Sequence, residues 1–161
     1  SLYTDYESIR SATETFMQCE ESKHVLDGAA GFLVRMHWAG VEHKDLNVGN
    51  ILYRKEDDRY RFQVIDTNRM AFRRRLSMRR RLRNMRRLSC GAPAYLYILH
   101  RYAEVLRANA NGVQLRGVVC RLAFEWRQRT KGKFKSIFRR SKPEPRMACG
   151  EVQAVHIPGR L

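Results

Sequence analysis

Apolar residues at helical spacing dominate the stretch from residue 22 to residue 40. They recur three or four positions apart, which predicts an amphipathic helix that begins at Ser22 and stops at Gly40. Gly28 and Gly31 interrupt this pattern at a cost in helicity, so we expect a neighbouring element to pack closely there. The apolar positions of this predicted helix are Val25, Leu26, Ala29, Ala30, Phe32, Leu33 and Met36.

A predicted β-hairpin follows the helix. Residues 51–53 and 60–65 are rich in β-branched and aromatic side chains and flank a charged turn. If the hairpin is symmetric about residue 58, Asn50 lies opposite Asp66. Directly opposed residues on antiparallel strands are about 4.5–5.5 Å apart. The pattern therefore predicts that an amide and a carboxylate meet at one end of the hairpin.

The next predicted helix lies in an arginine-rich region. Ser77 is its predicted N-cap, and Met78, Leu82 and Met85 form one apolar face that ends near residue 88. Ten arginines and no acidic residue occur between residues 69 and 87. The apolar face predicts burial, whereas the arginines form either a solvated surface or a surface that binds phosphate groups.

Two more helices are predicted over about residues 94–108 and 113–129. A basic segment with interleaved aromatic residues follows, and Pro143 and Pro145 open a tail that we expect to be mobile. The second helix is expected to bury an apolar stripe formed by Val119, Leu122, Ala123 and Trp126. Together, these elements predict an α+β fold that is mainly helical.

Charge divides the chain into two halves. Residues 1–66 have a net charge of −4, whereas residues 67–161 have a net charge of +20. This asymmetry indicates an anionic partner, which could be nucleic acid, anionic lipid or a phosphorylated substrate. Charge alone does not choose among these three.

The cysteine pattern and the hydropathy predict the compartment. Cys19, Cys90, Cys120 and Cys149 are widely separated, with no C-x-x-C pair, which indicates reduced thiols. No apolar run approaches the roughly 18 residues of a membrane span, and no secretory signal precedes the helix. We therefore expect a cytoplasmic protein, peripheral on the inner face of the cell membrane where its basic surface meets anionic lipid.

Three side chains around the predicted hairpin have the chemistry of a phosphotransferase. Asp45 lies in the loop before the hairpin and would orient an acceptor hydroxyl. Asn50 and Asp66 offer oxygen ligands to Mg²⁺, which prefers a few such oxygens together with phosphates and water. His43 is expected to shape the loop by hydrogen bonding, and His37 is expected to be a packed, hydrogen-bonded core residue.

These residues carry a family resemblance. The pattern H-x-D-L-x-x-x-N at residues 43–50, followed by a hairpin and Ile65-Asp66, resembles the catalytic loop and metal-binding strand end of the protein-kinase-like superfamily. It is more closely similar to the lipopolysaccharide kinase (Kdo/WaaP) family, over residues 25–90. That resemblance implies ATP and Mg²⁺ as cofactors, with Asp45 and His43 as catalytic-loop residues. It also implies transfer to a Kdo or heptose hydroxyl of the lipopolysaccharide inner core.

Two departures from the protein-kinase pattern refine this hypothesis. Asp66 is followed by Thr67-Asn68 where regulated protein kinases have Phe-Gly, so their mobile switch is not expected. Asn47 stands where protein kinases usually have a lysine near the γ-phosphate, which favours the sugar and small-molecule branch and implies a cofactor-binding role for Asn47 together with Asn50 and Asp66.

The predicted domain organisation follows from a missing motif. No G-x-G-x-x-G loop and no strand lysine precede residue 22, and the chain begins within an apparent extended stretch. We therefore interpret residues 1–142 as a kinase-like C-terminal lobe without its nucleotide lobe, and residues 143–161 as a basic tail.

Two other functions are compatible with the residues. One is another kinase of the same superfamily that acts on a protein or a small molecule. The other is a non-catalytic basic module that binds membrane or nucleic acid through residues 69–87 and 127–146. We expect the lipopolysaccharide core or a lipid A precursor as substrate and an anionic membrane surface as a further partner, with residues 134–140 at the interface. Nucleic acid is not the expected partner.

Overall fold

A computed structural model describes residues 5–57 and 59–140, with side chains described up to residue 130. The predicted tail and the side chains of residues 134–140 lie outside the described part. The chain divides into two compact units, residues 1–127 and residues 128–161. The helices are α1 (Arg10–Thr15), α2 (Glu20–Trp38), α3 (Met78–Met85), α4 (Ala92–Val105) and α5 (Ala110–Arg140), and the strands are β1 (Glu7–Ser8), β2 (Val41–His43), β3 (Ile51–Glu56), β4 (Arg59–Val64) and β5 (Met70–Phe72).

Helix α2 confirms the first predicted helix and is the centre of the core. Its apolar face packs against α4, and Gly28 lets strand β4 approach, since a Cβ there would lie 2.6 Å from Phe62 Cε2. The close neighbour expected at Gly31 is not found, because its nearest contact is Arg35 of the same helix. The fully buried members of this core include Leu26, Ala29, Leu33, Ile98, Leu99 and Tyr102.

Gly40 ends α2 and directs the chain into β2. It adopts a positive φ of 76°, and a Cβ on it would lie 1.8 Å from the Arg73 carbonyl oxygen. Only glycine fits both conditions. The Arg73 N–H donates to the Gly40 carbonyl (2.9 Å), so strand β2 begins already paired with the segment that leaves β5. This pairing places the loop after β2 beside the residues that follow the hairpin.

The hairpin is confirmed, but its predicted register is wrong by one residue. Ile51 pairs with Val64, and the Ile65 N–H donates to the Asn50 carbonyl (3.0 Å), so Asn50 lies opposite Ile65 instead of Asp66. The strands extend further into the charged segment than predicted, and only residues 57–58 connect them. Asp57 has a φ of 52°, as two-residue hairpin turns require.

The predicted burial of α5 is wrong in its choice of face. Val119, Leu122 and Trp126 are 57%, 58% and 67% exposed. The helix instead packs through Gly117, where a Cβ would lie 2.4 Å from Leu99 Cδ1, and through Arg121, whose guanidinium lies 4.7 Å from the Tyr95 ring centroid. Tyr95 Oη also donates to the Gly117 carbonyl (3.2 Å).

A second stripe on α5 explains the error. The packing residues Val113, Gly117, Cys120 and Phe124 repeat with the same spacing as Leu115, Val119, Leu122 and Trp126. Both stripes therefore have helical period, and they differ only by a two-residue offset that places them on opposite faces.

Among the described residues, no helix has the length and apolarity to cross a membrane.

The assignment of the α5 faces predicts a difference between two leucines. Leu122→Ser should change the free energy of unfolding by no more than about 0.5 kcal/mol, because the side chain is solvated. Leu99→Ala should cost about 2–5 kcal/mol, because it leaves a cavity beside Gly117. Urea unfolding of both variants measures this. A larger loss for Leu122→Ser would show that the outer stripe is buried after all.

Candidate active site

His43 joins the loop after β2 to the end of the hairpin. Its side chain is fully buried, and its ring bonds to both segments. The Asp45 N–H donates to Nδ1 (3.2 Å), so Nδ1 carries no proton. Nε2 is therefore protonated and donates to the Ile65 carbonyl (2.9 Å). The neutral imidazole thus holds the backbone of Asp45 against the residue that precedes Asp66.

Asn50 is oriented by the same loop. Its Nδ2 donates to the Asp45 carbonyl oxygen (2.8 Å). Since an amide carries its oxygen opposite to the donating nitrogen, Oδ1 faces away from this bond and remains available as a neutral oxygen ligand. The metal-binding role of Asn50 stays a prediction.

Asn47 has a local structural task. Its Oδ1 accepts from the N–H groups of Gly49 (2.8 Å) and Asn50 (3.1 Å), which caps the short 3₁₀ turn Val48–Asn50. The side-chain oxygen is therefore already engaged with the backbone. The amide nitrogen of Asn47, Nδ2, lies 3.4 Å from the Asp45 carbonyl oxygen. A contact between Asn47 and a nucleotide stays a prediction.

Asp66 leaves β4 in a left-handed conformation, with φ 59° and ψ 50°. A non-glycine residue in this region is held there by its surroundings, and such positions cluster at functional sites. The Arg69 N–H donates to the Asp66 carbonyl (3.2 Å) and closes a short 3₁₀ turn, Thr67–Arg69. The turn brings the Arg69 side chain back towards the acid.

One guanidinium connects the two acids of the site. Arg69 Nη1 lies 3.5 Å from Asp45 Oδ2, and Arg69 Nε lies 3.4 Å from Asp66 Oδ2. The two carboxylates therefore face a common space that already contains positive charge. Both are accessible, with 38% of each side chain exposed. The structure thus brings Asp45, Asn50 and Asp66 to one mouth, although the hairpin register differs from the predicted one.

The donor set fits a hard cation that arrives with phosphate groups. In the described part of the chain, no cluster of three or more His, Cys, Asp or Glu side chains could hold a metal by itself. Mg²⁺ is usually bound by one or two carboxylates, with water and substrate phosphates as the other ligands. The Asp66 carboxylate and Asn50 Oδ1 are oxygen donors of this kind, and Arg69, which now pairs with Asp66, would have to move away from a bound cation.

Sequence reasoning missed a buried polar chain behind the loop. Asn84 of α3 donates from Nδ2 to the His43 carbonyl (2.6 Å), and its Oδ1 lies 3.2 Å from His37 Nε2. His37 Nδ1 lies 2.8 Å from Tyr102 Oη. The predicted packing of His37 is confirmed, but its partners are separated from it by dozens of residues. The one local signal was an asparagine between the buried positions Leu82 and Met85.

Burial also shifts the pKa values of His37 and Tyr102, two members of this hydrogen-bond chain. Desolvation lowers the pKa of His37 to about 4, helped by the positive charge of Arg81, against the opposing effects of the Asn84 hydrogen bond and the Glu42 charge. Burial likewise raises the pKa of Tyr102 to about 12. Both residues are therefore neutral at physiological pH, as a hydrogen-bond chain through them requires.

The fold and the site together define a class of protein. A loop with a catalytic-type aspartate follows a long helix, and a hairpin ends on a second acid beside it, which is the arrangement of the C-terminal lobe of a kinase-like fold. Residues 5–95 match the model of the lipopolysaccharide kinase (Kdo/WaaP) family. The chain belongs to this family.

A solved structure supports the fold. The chain is similar to a structure described as WaaP in complex with acyl carrier protein, with a TM-score of 0.56 and 22% sequence identity. The similarity covers 80% of this chain and 58% of that one, so the chain spans little more than half the length of this neighbour. At this identity the likeness shows the fold. No curated protein matches the sequence.

The lowered pKa of His37 predicts acid sensitivity. In the unfolded state this histidine has a pKa near 6.5, whereas in the folded state His37 becomes protonated only near pH 4. The unfolded state therefore binds more protons in this interval, and stability falls by up to about 1.4 kcal/mol per pH unit as the pH is lowered.

His37→Gln should remove this part of the pH dependence, measured as urea unfolding at pH 7 and pH 5. His100→Gln, at an exposed histidine, is the matched control and should keep the wild-type loss. An unchanged loss between the two pH values in His37→Gln would contradict a buried neutral histidine.

Proposed function

We propose that the chain is the phosphotransfer lobe of an ATP- and Mg²⁺-dependent kinase that phosphorylates a sugar hydroxyl, of Kdo or heptose, in the lipopolysaccharide inner core. Family membership supports the lipopolysaccharide substrate class. The observation that carries the phosphotransfer itself is the convergence of Asp45 and Asp66 on one guanidinium, with the Asn50 amide bonded to the Asp45 carbonyl.

Each residue has a task in this reaction. The Asp45 carboxylate accepts a hydrogen bond from the acceptor hydroxyl and aligns its oxygen with the γ-phosphorus of ATP. The new P–O bond forms to the sugar oxygen, the bond to the bridging oxygen breaks, ADP leaves, and Asp45 takes the hydroxyl proton. Asn50 and Asp66 would hold Mg²⁺, which supplies positive charge against the phosphates when bound. His43 keeps the Asp45 backbone in place.

The other candidate functions explain less of the site. A non-catalytic basic module would use its arginines and would need neither the paired acids nor the left-handed Asp66. A kinase for proteins or small molecules would use the same acids, but the family match favours the lipopolysaccharide core. The acceptor can therefore be tested separately from the chemistry.

Two isosteric substitutions test the chemistry. Asp45→Asn and Asp66→Asn in the full-length protein should each lower kcat for phosphate transfer from ATP by at least about 10²-fold, because each removes a charge that acts on the reacting groups. The measurement is transfer of labelled γ-phosphate to purified lipopolysaccharide core in the presence of Mg²⁺.

Asp57→Asn is the matched control, since it makes the same chemical change in the hairpin turn. It should retain wild-type activity. Activity of Asp45→Asn within a few-fold of wild type would exclude the proposed role of this acid. Transfer of phosphate to a protein or to a free sugar, with none to the lipopolysaccharide core, would instead support a kinase that acts on proteins or small molecules.

We also propose that the region from β5 to α3 attaches the protein to the anionic inner face of the cell membrane. Arg73 and Arg80 are paired with Glu42, whereas Arg74, Arg75 and Arg79 are exposed, as is Phe72, which is 76% exposed. Each basic residue near an anionic leaflet contributes about 1 kcal/mol. Three such residues and an exposed aromatic ring suit a peripheral contact, which would bring the site to a membrane-bound substrate.

The triple variant Arg74→Gln, Arg75→Gln, Arg79→Gln tests this contact. It should weaken binding to vesicles that contain phosphatidylglycerol by about 10²-fold, following about 1 kcal/mol per charge. The control replaces three exposed arginines on other elements, Arg35, Arg59 and Arg107, and should bind as wild type does. Equal weakening in both triple variants would attribute binding to net charge rather than to this surface.

A further inference from the structure

We propose that Asn84 is a positioning residue for the phosphotransfer site: it clamps the peptide unit between His43 and Lys44, and a buried hydrogen-bond chain through His37 and Tyr102 fixes its orientation. This inference rests on the proposed function.

The clamp acts on both sides of one peptide unit. The carbonyl of His43 accepts from Asn84 Nδ2 (2.6 Å), and the N–H of Lys44 donates to the carbonyl of Arg69 (2.7 Å). The second of these bonds belongs to the backbone, and it involves the residue whose guanidinium contacts both acids. The first bond depends on a single side chain. With both made, the peptide plane between His43 and Lys44, one residue before Asp45, has one orientation.

The carbonyl of His43 determines which atom donates in each hydrogen bond between Tyr102, His37 and Asn84. A carbonyl can only accept, so the Asn84 atom that faces it is the amide nitrogen, and Oδ1 faces His37. His37 Nε2 must therefore donate, which leaves Nδ1 as the acceptor of the Tyr102 hydroxyl proton. Each link thus specifies the next, and the amide of Asn84 cannot turn over without losing two bonds.

Burial gives this chain its strength. His37, His43 and Tyr102 are fully buried, and Asn84 is 3% exposed. A buried polar group that loses its partner has no water to replace it, so breaking any link leaves an unsatisfied donor or acceptor. The chain connects α2, α3 and α4 to the loop, and through it the helical core sets the position of Asp45. An apolar residue at position 84 would fill the volume but leave the His43 carbonyl without this donor.

The test compares Asn84→Ala with Leu82→Ala in the full-length protein. Leu82 is a buried apolar residue on the same helix, so both variants lose core packing, but only the first loses the clamp. Asn84→Ala should lower kcat by at least about tenfold with KM for ATP nearly unchanged, since misplacement of a catalytic group acts on the reacting step. Leu82→Ala should keep kcat per folded molecule within about threefold of wild type.

A second readout is independent of catalysis. Hydrogen exchange of the Lys44 and Asp45 amides should accelerate in Asn84→Ala, with exchange in α4 unchanged. Tyr102→Phe keeps Asn84 in place and should accelerate the exchange of the same amides by a smaller factor. This variant replaces Asn84→Ala in the test if Asn84→Ala does not fold. Unchanged exchange at these amides would overturn the clamp. Faster exchange with an unchanged kcat would overturn its role in catalysis.

The two proposals fail in different ways. If the wild-type protein transfers no phosphate to lipopolysaccharide core, the proposed function fails, while the exchange of the Lys44 and Asp45 amides still decides whether Asn84 holds the loop. If the wild type is active and Asn84→Ala loses activity only in proportion to its unfolded fraction, Asn84 contributes to stability alone.

Discussion

The buried ring of His43 is the interaction on which the site depends. It accepts from the Asp45 amide on one side and donates to the Ile65 carbonyl on the other, so a loop and the end of a hairpin share one rigid, neutral group. The ring is fully buried, and both bonds are therefore protected from exchange with water. Together with the bond from the Lys44 N–H to the Arg69 carbonyl, the ring fixes the acid of the loop relative to the acid after the hairpin.

The charged residues near this ring fall into two groups: those that pair within the fold and those that are exposed to solvent. The acids of the site stand at its mouth and share Arg69, which balances their repulsion. Glu42 pairs with Arg73 and Arg80, so part of the arginine-rich region is held against the fold. Arg74, Arg75, Arg79 and Arg83 are exposed and carry positive charge on the surface. A single basic sequence therefore contains a structural portion and a solvent-facing portion, which composition cannot separate.

The proximity of the candidate site residues was predictable from sequence because it depends on positions that lie near one another along the chain. Asp45 and Asn50 belong to one short loop, and Asp66 is separated from them only by a hairpin whose length the sequence indicates. An error of one residue in the register did not remove the convergence, because the turn after Asp66 returns Arg69 to both acids. Asn84 was not accessible in this way, since its bond to His43 spans 41 residues and depends on how α3 packs.

From sequence alone, the four longer helices, the hairpin and the division of charge were predictable, since each follows from neighbours along the chain. The short elements α1, β2 and β5 were not predicted, because they are too short to show a periodic pattern. The tertiary structure alone decided which of two equally spaced stripes on α5 is buried, since periodicity records the spacing of a face but not the element it meets. It also decided that an asparagine and a histidine from separate helices hold the loop. Such partners are selected by three-dimensional packing, because a buried donor must find an acceptor wherever the fold places one.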